Sequence, residues 1–348
     1  IMRALAVISV LTLALLVTGC VSQTVKSTAV PPLDYASNAI SEDEVLDVGV
    51  AILDSGIAEL DDEDGVFPEV RRAEATFIAN ELTKTLQEVG AWGAVRVVPD
   101  NQHFTDLLLN GTIIHSDGEH LELAVAVTDA RGVVWIDKTY TGTTSRYAYD
   151  GRNASSQDPF LLVYRKVAND MLKVFESIKR RDRLAIRQIA ELRFARTFSS
   201  DAFNDYLTQD AKEIYHIQRL PADNEPMLER VRNLRKRNYV FVDTLQGYYT
   251  SFSEDMYSPY QEWRKLSYEE VVALRELQSE ANTRLIAGAA AVIAGIAAQG
   301  SSSEYANAAG MVGIAGGGYL LKSGLEKRSE SNIHTLALEE LGQSLEAE

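Results

Sequence analysis

The chain has 348 residues, of which 50 are Asp or Glu and 34 are Lys or Arg, so its formal net charge is −16 at pH 7. This balance argues against a nucleic-acid partner, because the phosphate backbone attracts a basic protein face. The length is enough for two modest domains, or for one domain with an extension.

The first residues have the pattern of a secretory signal. Arg3 is followed by about 13 mostly apolar residues, too few to cross a hydrocarbon core that needs about 20. A basic start, a short apolar run and small residues after it are typical of a signal peptide. We therefore predict a signal peptide over residues 1–19, directly before the single cysteine, Cys20.

The residues Val17-Thr18-Gly19-Cys20 resemble the lipobox of bacterial lipoproteins. The resemblance implies cleavage between Gly19 and Cys20 and a lipid joined covalently to the Cys20 sulfur, with no other cofactor. Val21 occupies the position at which an aspartate commonly retains such lipoproteins at the inner membrane. That difference implies lipid anchoring at the periplasmic face of the outer membrane. The alternative is an ordinary cysteine that follows an ordinary signal peptide.

Residues 20–40 are predicted to be a tether between the membrane and a folded body. Val21 to Asn38 lacks hydrophobic periodicity and contains the pair Pro31-Pro32. A lipidated Cys20 would leave the mature chain without a thiol for a disulfide, a metal site or a nucleophile.

The pattern over residues 41–150 predicts an α+β domain. "VLDVGVAIL", which starts at Val45, alternates as a strand does, and apolar residues at helical spacing over 70–89 predict a helix capped by Gly90. An antiparallel meander follows, with hairpin turns at 116–118 and 130–132. The strands are "AVRVVP", "DLLLNGTII", "HLELAVAVTDA" and "VVWIDKTYTG". The predicted fold is a small sandwich with a helix on one sheet face.

This strand–helix–meander pattern loosely resembles domains of curli-secretion and Tol-type lipoproteins, most clearly over "AEATFIANELTKTLQEVGAWGAVRVVP". The resemblance implies a fold and no site residues. The whole chain also resembles proteobacterial periplasmic lipoproteins in which such a unit precedes a helical region and a glycine-rich hairpin. Those chains continue beyond "LEELGQSLEAE", so we expect the C-terminal segment 326–348 to be truncated.

Residues 151–283 are predicted to be a helical domain. We expect breaks at Pro221, Pro226 and Pro259, and a capping box in which Ser267 precedes Glu270 by three residues. The predicted helices lie near 158–181, 183–198, 201–216, 224–251 and 264–298.

Residues 284–325 are predicted to be a glycine- and alanine-rich helical hairpin. Small residues recur at every fourth position, which lets two helices approach closely. They are Ala287, Ala291 and Gly295 on one arm and Ala309, Gly313 and Gly317 on the other. Three interpretations stay open: a self-packed hairpin, an oligomerisation zipper between protomers, or a membrane-inserting hairpin with Arg284 and Lys322 at its ends.

Charge is distributed unevenly along the chain. Residues 41–65 hold ten acidic residues and no basic one, whereas Lys179–Arg196 and Arg230–Arg237 are markedly basic. Such runs are usually solvated faces. The alternative is that the basic helices contact an acidic partner surface or anionic lipid headgroups.

The motifs of common enzyme and metal sites are incomplete. "GGGYLLKS" lacks the glycine of a phosphate-binding loop, and "LDDEDG" lacks the first aspartate of a calcium loop. His115 and His120 flank a hairpin turn and more often form a surface pair than a zinc site. We predict no catalytic residue and no metal site.

These observations favour an interaction or structural lipoprotein of the cell envelope that binds a protein partner or the peptidoglycan machinery. A first alternative is an oligomeric membrane-inserting or secretion component that uses the glycine-rich hairpin, as a homo-oligomer. A second alternative is a cell-wall hydrolase.

Overall fold

The structure is a computed structural model that describes residues 29–37, 40–59, 68–99, 105–149, 157–222 and 225–299. Over these residues the fold is mixed α+β, as predicted, with a five-stranded sheet followed by a helix-rich part. The helices are α1 (Pro68–Val89), α2 (Leu161–Ser177), α3 (Arg180–Phe198), α4 (Ser200–Phe203) and α5 (Pro226–Gln299). The strands are β1 (Val48–Ala51), β2 (Val95–Val98), β3 (Leu107–Ser116), β4 (His120–Asp129), β5 (Val134–Thr143), β6 (Leu207–Gln209) and β7 (Tyr215–Ile217).

The large sheet has the strand order β2-β1-β3-β4-β5. β1 pairs in parallel with both of its neighbours, so that Val48 lies opposite Val95 and Leu107. β3, β4 and β5 form an antiparallel meander with turns at the predicted places. α1 connects β1 to β2. The predicted order of strand, helix, strand and meander is therefore confirmed.

One face of the sheet carries the core. Along β4, Leu121, Leu123, Val125 and Val127 are buried, while the residues between them are partly exposed, as expected for a period of two. α1 packs on β1 and β2, and α2 packs on α1 and β5. Buried residues from both predicted domain ranges belong to one continuous cluster.

α1 forms where the apolar periodicity predicts it. Phe77, Ile78, Leu82 and Leu86 are all fully buried. Gly90 ends the helix with a φ of +68°, a left-handed conformation that glycine adopts without the cost a side chain would bring. The predicted cap is confirmed.

The second half of the predicted tether lies on the body. The carbonyl oxygens of Pro31 and Pro32 accept hydrogen bonds from Arg165 and Asn169 of α2, at 3.1 and 2.9 Å. Leu33 is buried against the core. Residues 31–33 of the predicted tether are therefore part of the folded body.

The predicted helix over 201–216 is wrong. α4 ends at Phe203, and the chain then forms the small antiparallel hairpin of β6 and β7. The Asp210 carboxylate accepts the backbone N–H groups of Lys212 and Ile214, and Glu213 takes a φ of 63°. Such aspartate-capped turns compete with helix formation.

The predicted break at Pro259 is also wrong, because α5 runs through this residue without interruption. A proline inside a helix removes one backbone hydrogen bond and costs about 3 kcal/mol. Tyr260 and Arg264 directly after it are fully buried in the body, and this packing holds the helix together across the proline. Ser267 is consequently a buried residue inside α5 and caps no helix.

Candidate functional site

The place where α5 crosses the body is the candidate site. α5 contacts α1, β2 and α3. We call its most buried part the α5 junction, formed by Tyr260 and Arg264 on α5, Glu74 on α1, Gly118 in the β3–β4 turn, and Asp158 before α2. These residues lie far apart in sequence and meet because α5 lies across α1 and the turn.

Arg264 is the largest fully buried side chain among the described residues. Its Nη1 atom donates a hydrogen bond to Asp158 Oδ2 at 2.7 Å. The guanidinium also lies over the rings of Tyr260 and Phe160, at 4.1 and 4.9 Å from their centroids. Burial lowers the pKa of Arg264, but the Asp158 carboxylate and the neighbouring tyrosine hydroxyls together outweigh this effect, and the pKa stands well above its usual value. The junction therefore contains a permanent positive charge held by one carboxylate.

Asp158 is positioned by three donors. In addition to Arg264, Gln261 Nε2 donates to its Oδ2 at 3.1 Å and the backbone N–H of Phe160 donates to its Oδ1 at 2.8 Å. The carboxylate thus accepts three hydrogen bonds, two at Oδ2 and one at Oδ1. A buried ion pair requires this kind of additional hydrogen bonding to offset desolvation.

Glu74 makes a second polar contact between α1 and α5. Its Oε1 atom accepts hydrogen bonds from the Tyr260 hydroxyl and from Ser116 Oγ at the end of β3. Arg71 Nε lies 3.6 Å from Glu74 Oε2. Burial raises the pKa of Tyr260 well above its usual value, so the hydroxyl stays protonated and remains the donor. Three elements are thus joined through one carboxylate.

Gly118 allows the β3–β4 turn to approach the α5 backbone. A Cβ atom at this position would lie 2.0 Å from the Arg264 carbonyl oxygen and 2.3 Å from the Tyr268 backbone nitrogen. The Gly118 carbonyl oxygen accepts a hydrogen bond from the Tyr149 hydroxyl at 2.6 Å. Only a residue without a side chain fits at this contact.

Polar contacts continue along α5 on both sides of the junction. Gln246 Oε1 accepts the Val97 backbone N–H at 2.7 Å, which occupies a donor on edge strand β2. Arg96 Nε lies 2.5 Å from Asp243 Oδ1. On the other side, Arg275 Nη1 donates to Glu119 Oε1 at 3.0 Å. α5 is therefore held over much of its length.

Asp106 is a buried carboxylate beside α5. Its Oδ2 atom accepts the Asp47 backbone N–H at 2.9 Å, and its Oδ1 atom lies 3.7 Å from Arg235 Nη2. Burial raises its pKa from 3.8 to about 6. Between pH 3.8 and about pH 6, Asp106 holds a proton in the folded protein that it has released in the unfolded chain. This group therefore stabilises the fold less as the pH rises through about 6.

We expect Asp106→Asn to increase the free energy of unfolding at pH 7.5 and to increase it clearly less at pH 4.5. The expected gain is about 2–3 kcal/mol, since one pKa unit corresponds to about 1.4 kcal/mol. Urea unfolding at pH 4.5, 6.0 and 7.5 measures it. The control is Asp137→Asn, which alters an exposed carboxylate on β5 and should change the free energy of unfolding by less than about 0.5 kcal/mol. Equal shifts for Asp106→Asn would contradict the prediction.

The basic helix α3 contacts the acidic segment of the same chain. Arg180 pairs with Asp43 and Glu44, and Arg183 Nη1 lies 3.0 Å from Glu44 Oε2. Arg187 Nη1 donates to the Glu42 carbonyl oxygen at 2.8 Å. Several basic residues of α3 that the sequence offers as a possible partner surface therefore pair with acidic residues or carbonyl groups of the same chain.

His115 and His120 lie near each other, with ring centroids 6.5 Å apart. Each pairs with its own carboxylate: His115 with Asp117 at 2.9 Å and His120 with Glu119 at 3.4 Å. The hydrogen bond to Asp117 raises the pKa of His115. In the part of the chain that the structure describes, no group of three or more His, Cys, Asp or Glu side chains is arranged to hold a metal ion.

Two sets of predicted site residues lie at or beyond the ends of the described chain. Gly19 and Cys20 are outside the described residues, as are Ala309, Gly313 and Gly317. Ala287, Ala291 and Gly295 lie in the last part of α5. Among the described helices, none is both long enough and apolar enough to cross a membrane.

The sequence contains no local signal for the buried charges of the α5 junction. Arg264 and Asp158 are 106 positions apart, and neither stands in a local motif. The nearest signal was Gly118, which was recognised as a turn residue but not as a contact. A comparison of the chain with protein families, with curated proteins and with solved structures found no match.

Proposed function

We propose that the protein is a lipid-anchored structural and interaction component of the bacterial cell envelope, at the periplasmic face of the outer membrane. In this proposal the α+β body stays near the bilayer and holds α5 in a fixed direction, where it contacts a protein partner. The observation that carries the proposal is the clamping of a 74-residue helix onto the body by buried charges.

The length of α5 supports a role as a rigid support. A helix of 74 residues is about 110 Å long at 1.5 Å per residue. Buried or paired side chains attach it to the body from Leu228 to Arg275, a stretch of about 70 Å by the same rise. A long helix fixed over such a length acts as a rigid support, because its direction is set at several points.

The attachment of the N-terminal segment supports a body held close to the membrane. If Cys20 carries a lipid, ten residues separate it from Pro31, which is bonded to α2. Even fully extended, this linker spans at most about 40 Å. Two or more acyl chains on one cysteine would anchor the protein stably.

The glycine-rich hairpin is part of this proposal. α5 includes the first predicted arm, in which Ala287, Ala291 and Gly295 recur at helical spacing. We propose that the second arm, with Ala309, Gly313 and Gly317, folds back on the first. Small residues at this spacing favour close packing of two helices.

We expect Cys20→Ala to abolish incorporation of radioactive palmitate and to shift the protein from the membrane fraction to the soluble fraction or to an unprocessed precursor. The physical reason is that the proposed lipid is joined to the Cys20 sulfur. Metabolic labelling with immunoprecipitation, followed by fractionation, measures both effects. Ser27→Ala in the same segment is the matched control and should keep the label. Unlabelled wild-type protein would disprove the anchoring.

The proposed interaction is tested with a photo-crosslinking residue in cells. Substitution at exposed Lys236 on α5 should give a discrete product with a second protein, whereas substitution at exposed Val134 on β5 should not. Products that are equal at both positions, or absent at both, would contradict a partner that contacts α5.

A further inference from the structure

Four exposed apolar side chains of α5, together with the partly buried Leu245, follow the spacing of a coiled-coil seam. Phe241 and Tyr248 are 60% and 69% exposed, although large apolar side chains are usually buried. The apolar positions are spaced alternately by three and four residues, with one polar member, Asn238, which is the pattern by which two helices pair. We call this row the α5 seam: Leu234, Asn238, Phe241, Leu245, Tyr248 and Phe252.

The α5 seam lies beside the face that packs on the body. Gln246, Ser253 and Tyr260 mark the packed face, since the first bonds to β2 and the other two are buried. At 3.6 residues per turn, the seam is about 100° around the helix from this row. It is therefore accessible to another helix while α5 stays clamped. Val240 is equally exposed but lies on a third side of the helix.

Charges at the two ends of the seam have opposite signs. Arg230 and Arg237 are exposed at its N-terminal end, and Asp255 and Glu262 are exposed at its C-terminal end. Arg237 and Asp255 are 18 residues apart, which is five helical turns, so both lie on the same side of α5. Two antiparallel copies of α5 would therefore place the basic end of each seam beside the acidic end of the other. A parallel copy would instead bring like charges together.

We propose that α5 pairs with α5 of a second copy of this chain in an antiparallel orientation, through the α5 seam. The pairing centres near Gly247. In this register Phe241 lies against the partner's Phe252, and Leu245 lies against the partner's Tyr248.

The same register aligns the charges. Arg237 lies beside the partner's Asp255, and Arg230 lies beside the partner's Glu262. The apolar pairs centre between Gln246 and Gly247 and the charged pairs centre at Gln246, so the two sets agree on the alignment to within half a residue.

Sedimentation equilibrium tests the pairing, because it measures the oligomeric state of the full chain. The sample contains a detergent whose buoyant density is matched by the solvent. Phe241→Glu should raise the dimer dissociation constant by at least about tenfold, as expected when a charge replaces an aromatic residue that is buried in an interface. Val240→Glu introduces the same charge one position away, outside the seam, and should change the constant by less than about threefold. Both sites are exposed, and circular dichroism verifies that each variant is folded.

A charge exchange tests the orientation. Asp255→Arg should weaken the dimer, because it faces the partner's Arg237 with another positive charge. Adding Arg237→Asp should restore the wild-type dissociation constant, since each pair is then reversed. A parallel dimer predicts no such recovery.

A monomeric wild-type chain, or a dimer that Phe241→Glu leaves unchanged, would overturn the proposal. An equal loss with Val240→Glu would do so too, as it would show a contact outside the seam. Because the readout is self-association and not labelling, its failure is distinguishable from failure of the anchoring at Cys20.

Discussion

Replacement of Arg264 by leucine is expected to lower the free energy of unfolding by about 3–5 kcal/mol. The change would leave the Asp158 carboxylate buried without the cation that compensates its desolvation. Urea unfolding of the full chain followed by circular dichroism measures the loss. The adjacent Lys265→Ala is the control, because Lys265 is 41% exposed and its ion pair with Glu262 is long, at 3.9 Å. It should change the stability by less than about 0.5 kcal/mol.

A double variant separates the lost charge pair from the lost packing. Combining Arg264→Leu with Asp158→Leu removes both charges, and replacing a whole buried pair by apolar groups is often close to neutral. We therefore expect the double variant to recover a large part of the stability that Arg264→Leu loses. If the single variant were as stable as Lys265→Ala, the ion pair would not hold α5 in place.

Gly118→Val is expected to destabilise the protein by roughly 3 kcal/mol, at the upper end for overpacking of a buried contact. The new Cβ would collide with the Arg264 carbonyl oxygen and the Tyr268 nitrogen, both of which are backbone atoms that cannot rotate away. α5 must move off the β3–β4 turn. Hydrogen exchange should then show faster exchange of the α5 amides near Tyr268, together with a lower urea midpoint.

Gly247→Ala is the matched control on the same helix. A Cβ at Gly247 would meet no described atom within 4 Å. Alanine inside a helix is more favourable than glycine by about 0.5–1 kcal/mol, so this variant should be slightly more stable than the wild type. The two glycine substitutions are thus expected to have opposite signs. The same sign for both would contradict the close approach at Gly118.

The parts of the fold that were predicted correctly have local signals. The strands of the meander alternate in hydrophobicity, and their turns contain glycine, as at Gly118 and Gly132. α1 has apolar residues at helical spacing and ends at Gly90. Each of these patterns depends on residues within a few positions of one another, so a single sequence is sufficient to recognise it.

The parts that were predicted wrongly depend on contacts between distant residues. Pro259 is an unfavourable helix residue by local rules, and it is accommodated only because the next turn of α5 is buried against α1 and the segment before α2. The hairpin of β6 and β7 is held by distant residues as well as by its own turn, since the Tyr215 backbone N–H donates to the Arg131 carbonyl oxygen and the Arg193 guanidinium lies over the Tyr215 ring. Neither effect can be estimated without knowing the neighbours.

The candidate site illustrates the same limit. The acidic residues of 41–65 and the basic residues of α3 were both visible in the sequence, but their pairing across 136 positions was not. Arg264 is one of many arginines in the chain, and nothing near it indicates that it is buried. The sequence therefore shows which charged residues are available for ion pairs, and the fold determines which of them pair.

The continuity of α5 beyond the junction has a mechanical consequence. From Arg275, where the contact with Glu119 attaches α5 to the body, the helix extends about 36 Å to Gln299. A tilt of about 10° at this contact would move Gln299 by about 6 Å. Small adjustments in how Arg275 and Glu119 fit together would therefore be amplified into larger displacements of the distal tip.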